Sequence, residues 1–212
     1  MFKETTFRML LHWFTGFLFV RHANTDALPP ERDMERVLTE TAYRQCHRAQ
    51  AWFAPMRSRA ILRSPAGRCL DTAALMYDGR DFHSLIIPSL YTPYPKNPGS
   101  AAFEEHWPIL KYAPMELYIA AGWDWRKFAD FVLAEIVSLI PRNQMHLQLD
   151  HRSKQVLPIF GHGVHPMAVA LRMAEIFGLD ESHKSTIINT MLGETDGMLI
   201  TPKTVQHFYT RM

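Results

Sequence analysis

Arg21 and His22 stand side by side at the end of Phe17-Leu18-Phe19-Val20, a run without a polar residue. A guanidinium is a permanent, fork-shaped cation, and an imidazole near neutral pH is a nucleophile or a proton carrier. Side by side at a strand end, they are placed where chemistry would be. The arrangement recurs twice. Ala60-Ile61-Leu62-Arg63 leads into Ser64-Pro65-Ala66-Gly67-Arg68, and Val156-Leu157-Pro158-Ile159-Phe160 leads into Gly161-His162-Gly163. The candidates are therefore Arg21, His22, Arg68 and His162. Each alone has a bland reading: a salt-bridging arginine, a capped histidine, a solvated helix residue.

The elements that must position these groups follow from the pattern around them. A strand built only of Phe, Leu and Val needs cover on both faces, as a central parallel strand does. In open α/β sheets ligands sit outside the carboxyl ends of such strands, which is where all four candidates fall. Arg68 also sits in the first turn of a helix, where backbone N–H groups and the positive end of the dipole favour an anion. The expected fold is α/β, with a mainly parallel central sheet flanked by helices on both faces. Strands are expected over 17–20, 60–63, 85–87, 156–160 and, last in the chain, 197–200. Thr39 is expected to cap a helix carrying Tyr43, Cys46, Gln50 and Phe53 on one face and ended by Pro55. Asp124 opens another, with Phe128, Val132, Ile136 and Ile140 in step and Pro141 beyond it. A third runs from Pro166 to Phe177 and stops at Gly178. The polar stretch 26–37, with Pro29-Pro30, reads as an exposed connection. Residues 91–125 have no clean period and read as a cap-like excursion after the third strand, carrying Tyr91, Tyr94, Phe103, Trp107 and Tyr112.

These motifs, in this order, resemble the histidine phosphatase superfamily, also called phosphoglycerate-mutase-like. The family opens with Arg-His-Gly after its first strand; here Ala23 replaces the Gly, so a Gly-only backbone conformation is not needed there. Leu38-Thr39-Glu40 with Gln45 is similar to a further family segment. Ser64-Pro65 with Arg68 and Thr72-Ala73 is similar to Ser-Pro-x-x-Arg-x-x-x-Thr-Ala, and Gly161-His162-Gly163 completes the set. The resemblance implies His22 as nucleophile, Arg21, Arg68 and His162 as phosphate ligands, and no metal or other cofactor. Asn24, Thr25 and Tyr91 are the expected substrate contacts.

One departure concerns the proton donor. Many superfamily members have a Glu soon after the third strand that protonates the leaving alkoxide; in Ser89-Leu90-Tyr91-Thr92-Pro93 that place falls to Thr92, which cannot. Such a donor is typically worth about 100- to 10,000-fold in rate. Either Glu104 or Glu105 swings in from the cap, or the substrate is a phosphoramidate, whose nitrogen can be protonated beforehand. The second option is similar to the SixA-type phosphohistidine phosphatase branch, although a long aromatic cap suits a small molecule better. The expected function is a metal-independent phosphatase for a phosphorylated small molecule or a phosphohistidine protein. A phosphate-binding module that has lost its chemistry and, further off, a phosphoglycerate mutase are the alternatives.

Bulk properties agree with a single domain over 1–212. A formal charge of +2 leaves no basic stripe for nucleic acid. Cys46 and Cys69, two thiols without Cys-x-x-Cys spacing, suit a reducing cytoplasm. Cys69 beside Arg68 reads as a small buried hydrophobe rather than an oxidant sensor. His162 and His165 have His-x-x-His spacing but no acidic third ligand, and His165 is expected to be a capping or surface residue. The start, with Lys3 and Arg8 before 9–14, resembles a signal peptide superficially. His12 and Thr15 interrupt it, so 1–13 reads as an extension packed on the domain, with no membrane span.

Overall fold

The computed structural model describes residues 4–56, 58–91, 96–97, 99–150, 152 and 154–210. The elements run α1 (Glu4–Arg8), β1 (Phe14–Arg21), α2 (Glu40–Phe53), β2 (Ala60–Arg63), α3 (Gly67–Tyr77), β3 (His83–Ile86), α4 (Ala101–Leu110), α5 (Met115–Ala120), α6 (Trp125–Arg142), β4 (Gln155–Gly161), α7 (His165–Phe177), α8 (Glu181–Asn189), β5 (Gly197–Ile200) and β6 (Val205–Phe208). The strands form one sheet in the order β3-β2-β4-β1-β5-β6. β1, β2, β3 and β4 are parallel, while β5 and β6 add an antiparallel edge. The sheet is thus mainly parallel with helices on both faces, as expected.

β1 is apolar from Gly16 to Val20 because it feeds two cores. Side chains alternate across a strand, so Phe17 and Phe19 join the larger cluster, which also holds residues of α1, α6 and α7. Leu18 and Val20 join the smaller cluster, built with α2 and α3. All four are fully buried. Each such side chain contributes about 1.5–3 kcal/mol by burial, and truncating Phe17 to Ala would cost roughly 3–5 kcal/mol. This strand carries Arg21 and leads into His22, so the site stands on a buried strand. Phe7 and Leu10 pack in the larger cluster, which is why the segment before β1 is held against the domain.

Several expectations need correction. β5 is not the last strand; β6 follows it, too short and mixed in composition to announce itself. α8 was not anticipated either, because it exposes most of its residues and buries only Ile187. The 91–125 excursion is not irregular where described: α4 and α5 lie in it, each with a single buried face residue or two, too few to show a period. Thr92 and Tyr94 lie outside the described residues. Tyr43 is exposed; the inner face of α2 is Ala42, Gln45, Cys46, Ala49 and Phe53. α6 continues through Pro141 to Arg142. Asp124 does cap it, accepting from Lys127 N, and Gly178 ends α7 in the left-handed region at φ 73°. No helix of the described residues is long and apolar enough to cross a membrane.

Candidate active site

Sheet register brings the three motifs to one edge. His22 N donates to Gly161 O at 3.1 Å and Ser64 N to Phe160 O at 2.9 Å. The carboxyl ends of β1, β4 and β2 are thereby fixed side by side. Arg21 is pinned from the other side, its N donating to Asp196 O and its O accepting from Thr195 N. Ala23 is fully buried and outside the left-handed region, so the extra methyl costs no backbone strain. Its N donates to Thr72 Oγ1 at 3.0 Å, and the same hydroxyl donates to Arg68 O at 2.7 Å. One threonine of α3 therefore ties the loop that follows His22 to the turn that carries Arg68.

The hydrogen bonds define the tautomers. Nδ1 of His22 lies 2.8 Å from Ala23 O, so it carries the proton and donates. Nε2 is left with its lone pair, and Arg68 Nε donates to it at 3.3 Å. Burial, with the charges of Arg68 and Arg21 adding to it against the pull of the Ala23 carbonyl, holds the His22 pKa down to about 3. The ring is neutral at physiological pH. His162 is 5.0 Å away, centroid to centroid. Its Nδ1 accepts from Arg68 Nη2 at 3.2 Å and its Nε2 donates to Ser64 Oγ at 2.7 Å. Burial first, then the neighbouring His22 and Arg68, keep its pKa well below the usual histidine value. One guanidinium thus bridges both imidazoles.

Arg21 is 7 % exposed. Its Nη1 donates to Leu192 O at 2.8 Å, and its guanidinium carbon lies 4.2 Å from the centroid of the Tyr112 ring. Among the described residues Arg21 Nε has no partner, leaving a buried donor for an incoming anion. Burial lowers its pKa, opposed by Tyr112, Glu194 and Asp196; a guanidinium remains charged regardless.

Other candidates take different positions. Asn24 accepts from Thr39 Oγ1 at 2.6 Å and donates to Glu194, which also takes Gln45 Nε2 at 2.9 Å. It therefore braces the loop, and Thr39 uses its hydroxyl here instead of capping α2. Thr25 pairs with Leu38 in an isolated antiparallel bridge. Tyr91 reaches the site, its ring 4.9 Å from that of His162. Glu104 accepts from Ser100 Oγ at the start of α4, and Glu105 is exposed on the same helix. His165 is not at the surface: its ring stacks on Phe128 at 4.9 Å and lies 4.1 Å from Phe103, and burial lowers its pKa to about 4. It is near enough for its charge to act on His162, but its ring packs in this apolar nest. Among the described residues no group of three or more His, Cys, Asp or Glu could hold a metal ion. Cys69 is fully buried, and burial raises its thiol pKa to about 12.

The residue missed from the sequence is Asp33. The stretch 26–37 is not simply an exposed connection, because a short 3-10 turn, Pro30–Glu35, folds back over the site. Asp33 Oδ2 accepts from Arg68 Nη2 at 2.6 Å and from the Tyr91 hydroxyl. Arg36 Nε stands 3.0 Å from Oδ1. Burial pushes the carboxyl pKa up, but the Tyr91 hydroxyl, Arg68 and Arg36 together outweigh it and hold it below the usual range. No periodicity marks this residue.

Similarity to known proteins accords with this geometry. No curated protein matches the sequence. Among solved structures, a mycobacterial glucosyl-3-phosphoglycerate phosphatase in complex with inorganic phosphate is 14 % identical, covering 92 % of this chain and 96 % of its own, with TM-score 0.55. A phosphoserine phosphatase from Entamoeba histolytica, bound to 3-phosphoglyceric acid, is 14 % identical over 92 % of this chain and 95 % of its own, TM-score 0.52. An Agrobacterium tumefaciens protein assigned as a phosphohistidine phosphatase, SixA, is 17 % identical over 91 % and 94 %, TM-score 0.50. At such identities these likenesses establish the fold. Residues 17–90, which hold Arg21, His22 and Arg68, match the family model of the histidine phosphatase superfamily, branch 1.

Proposed function

We propose that this protein is a member of the histidine phosphatase superfamily and carries out phosphatase chemistry without a metal, through a covalent phosphohistidine on His22. The observation that carries the reading is the tautomer of His22: Nδ1–H is tied to Ala23 O, and the Nε2 lone pair faces the Arg68 guanidinium. An anion held by Arg68 meets that lone pair directly.

Phosphoryl transfer asks chiefly for positioning and for positive charge around the equatorial oxygens. Arg21 Nε and the Arg68 fork supply donors of permanent charge. His162, neutral when the site is empty, gains a proton as a dianion enters, because a nearby negative charge favours the imidazolium. His22 Nε2 forms a bond to phosphorus as the bond to the leaving group breaks. Water then attacks the phosphohistidine, releasing inorganic phosphate and neutral His22. The substrate class is a phosphorylated small molecule or a phosphohistidine protein. The binding-only alternative lacks a specific observation in its favour, since nucleophile and cations are in mutual reach.

The test is turnover of 4-nitrophenyl phosphate by the wild-type protein and by His22→Ala. Turnover should vanish in the variant, and alkaline quenching of the wild type should trap an acid-labile phosphoryl adduct on His22. Unchanged turnover in His22→Ala would refute the mechanism.

A further inference from the structure

Resting on that reading, we infer that Asp33 is the general acid of this phosphatase, delivered by the turn after β1, and that its substrates therefore include phosphomonoesters with poor, alkoxide-like leaving groups.

Three observations carry this. First, Arg68 holds His22 and Asp33 at opposite ends of one planar group. Nε points at His22 Nε2, while Nη1 and Nη2 point at the Asp33 backbone carbonyl and carboxylate. A phosphoryl group attacked by His22 departs from its leaving oxygen on the side away from the nucleophile, which is the Asp33 side of the guanidinium. Second, the contacts of Asp33 are those an incoming phosphate needs. Its carboxylate takes hydrogen bonds from Arg68 Nη2 and the Tyr91 hydroxyl, so it stands where a substrate oxygen would, and must yield to it. Third, the segment has a pinned base and a distinct tip. Thr25 pairs with Leu38, Asp26 N donates to Val37 O, and Val37 N donates to Asp26 Oδ1. Among the described residues, the tip is held over the site by the contacts of Asp33 with Arg68 and Tyr91. Such a flap can lift without the strands moving.

Displacement also sets the protonation state. Docked on Arg68 and beside Arg36, Asp33 is a carboxylate. Once a phosphoryl dianion takes Arg68 and lies next to it, the carboxyl loses one cation and gains a like charge, both of which favour the acid form. The step then balances. The His22 Nε2 lone pair forms the P–N bond, the P–O bond to the leaving group breaks, and Asp33 passes its proton to that oxygen, releasing an alcohol. In the second half Asp33 takes a proton from water as the water oxygen bonds to phosphorus and the P–N bond breaks. This assigns the proton donor to a different loop from the Glu104 and Glu105 pair.

The experiment is a leaving-group series on Asp33→Asn, with Asp33→Ala as second variant should the first misfold. Measured against wild type, kcat/KM should fall about 100-fold or more on phenyl phosphate and less than about tenfold on 2,4-dinitrophenyl phosphate, whose leaving group needs no proton. Inhibition by orthovanadate should be as strong or stronger, since the competing carboxylate is gone. Equal loss across the series, or no loss on phenyl phosphate, overturns the role of Asp33. If His22→Ala is active, the phosphatase mechanism itself fails; if it is inactive while Asp33→Asn shows no grading, only the assignment of the acid fails.

Discussion

Two walls enclose the candidate phosphate site, and they are built in different ways. The first is the row of strand ends. Arg21, His22 and His162 stand on or just beyond β1 and β4, whose backbones are paired to neighbours on either side, above fully buried side chains such as Phe19 and Phe160. The second wall is the turn Pro30–Glu35, which reaches the site through Asp33. The first wall can place a reacting atom reproducibly because moving it would break sheet and core together. The second is attached at its tip by contacts of Asp33 with the side chains of Arg68 and Tyr91, and in the role proposed above it contributes a group that changes partners during a reaction cycle. Arg68 is the link: it touches both imidazoles and Asp33.

Breaking that link should have the largest effect. Arg68→Ala removes the donor shared by both walls, and kcat/KM for 4-nitrophenyl phosphate should fall roughly 100- to 1,000-fold. Thermal stability in the same protein reports whether the loss is electrostatic; a matching collapse of the fold would mean the two walls are not separable in this way.

The rigid wall can be probed by acid. His22 and His165 are held to about 3 and about 4, and His162 well below its usual value, against about 6.5 in an unfolded chain. Their folded pKa values are depressed, so the unfolded chain binds more protons as the pH falls below about 6.5. The stability is fully present above that value and is lost progressively on acidification. His165→Phe removes one such group from an apolar nest without touching the reacting atoms. Between pH 7.5 and pH 5 the variant should lose less stability than wild type, by on the order of 1–2 kcal/mol, measured by urea denaturation. Equal losses would contradict a neutral, partly buried His165.

The flap should respond more weakly. Arg36 and Asp33 side chains are 26 % and 22 % exposed, and a partly exposed pair of this kind is worth roughly 1 kcal/mol at most. Arg36→Ala should therefore change turnover of phenyl phosphate by about fivefold or less, with little change in melting temperature. A loss as large as that of Arg68→Ala would show that Arg36 is itself part of the site.

Much of the first wall was legible, and little of the second. Phe17-Leu18-Phe19-Val20 declares a strand buried on both faces because no polar side chain is present to face water. The polar residues at the ends of three such runs then stand out. Asp33 has no such contrast, lying among Glu31, Arg32, Glu35 and Arg36, where any acidic residue looks like a solvated one. α4 and α5 were missed because few of their residues are buried, which erases the period. His165 was misplaced for the opposite reason: its cover, Phe103 and Phe128, comes from α4 and α6, remote in the chain.

By itself the chain's order of residues determined which stretches are strands and which polar groups end them, since apolar runs and their interruptions are local properties. Tertiary structure alone decided the tautomer of His22, the bridging role of Arg68 and the presence of Asp33 in the site. Those depend on which atoms lie within about 3 Å of one another, and such distances between residues far apart in the chain are set by sheet register and by the return of a loop, neither of which has a local signature.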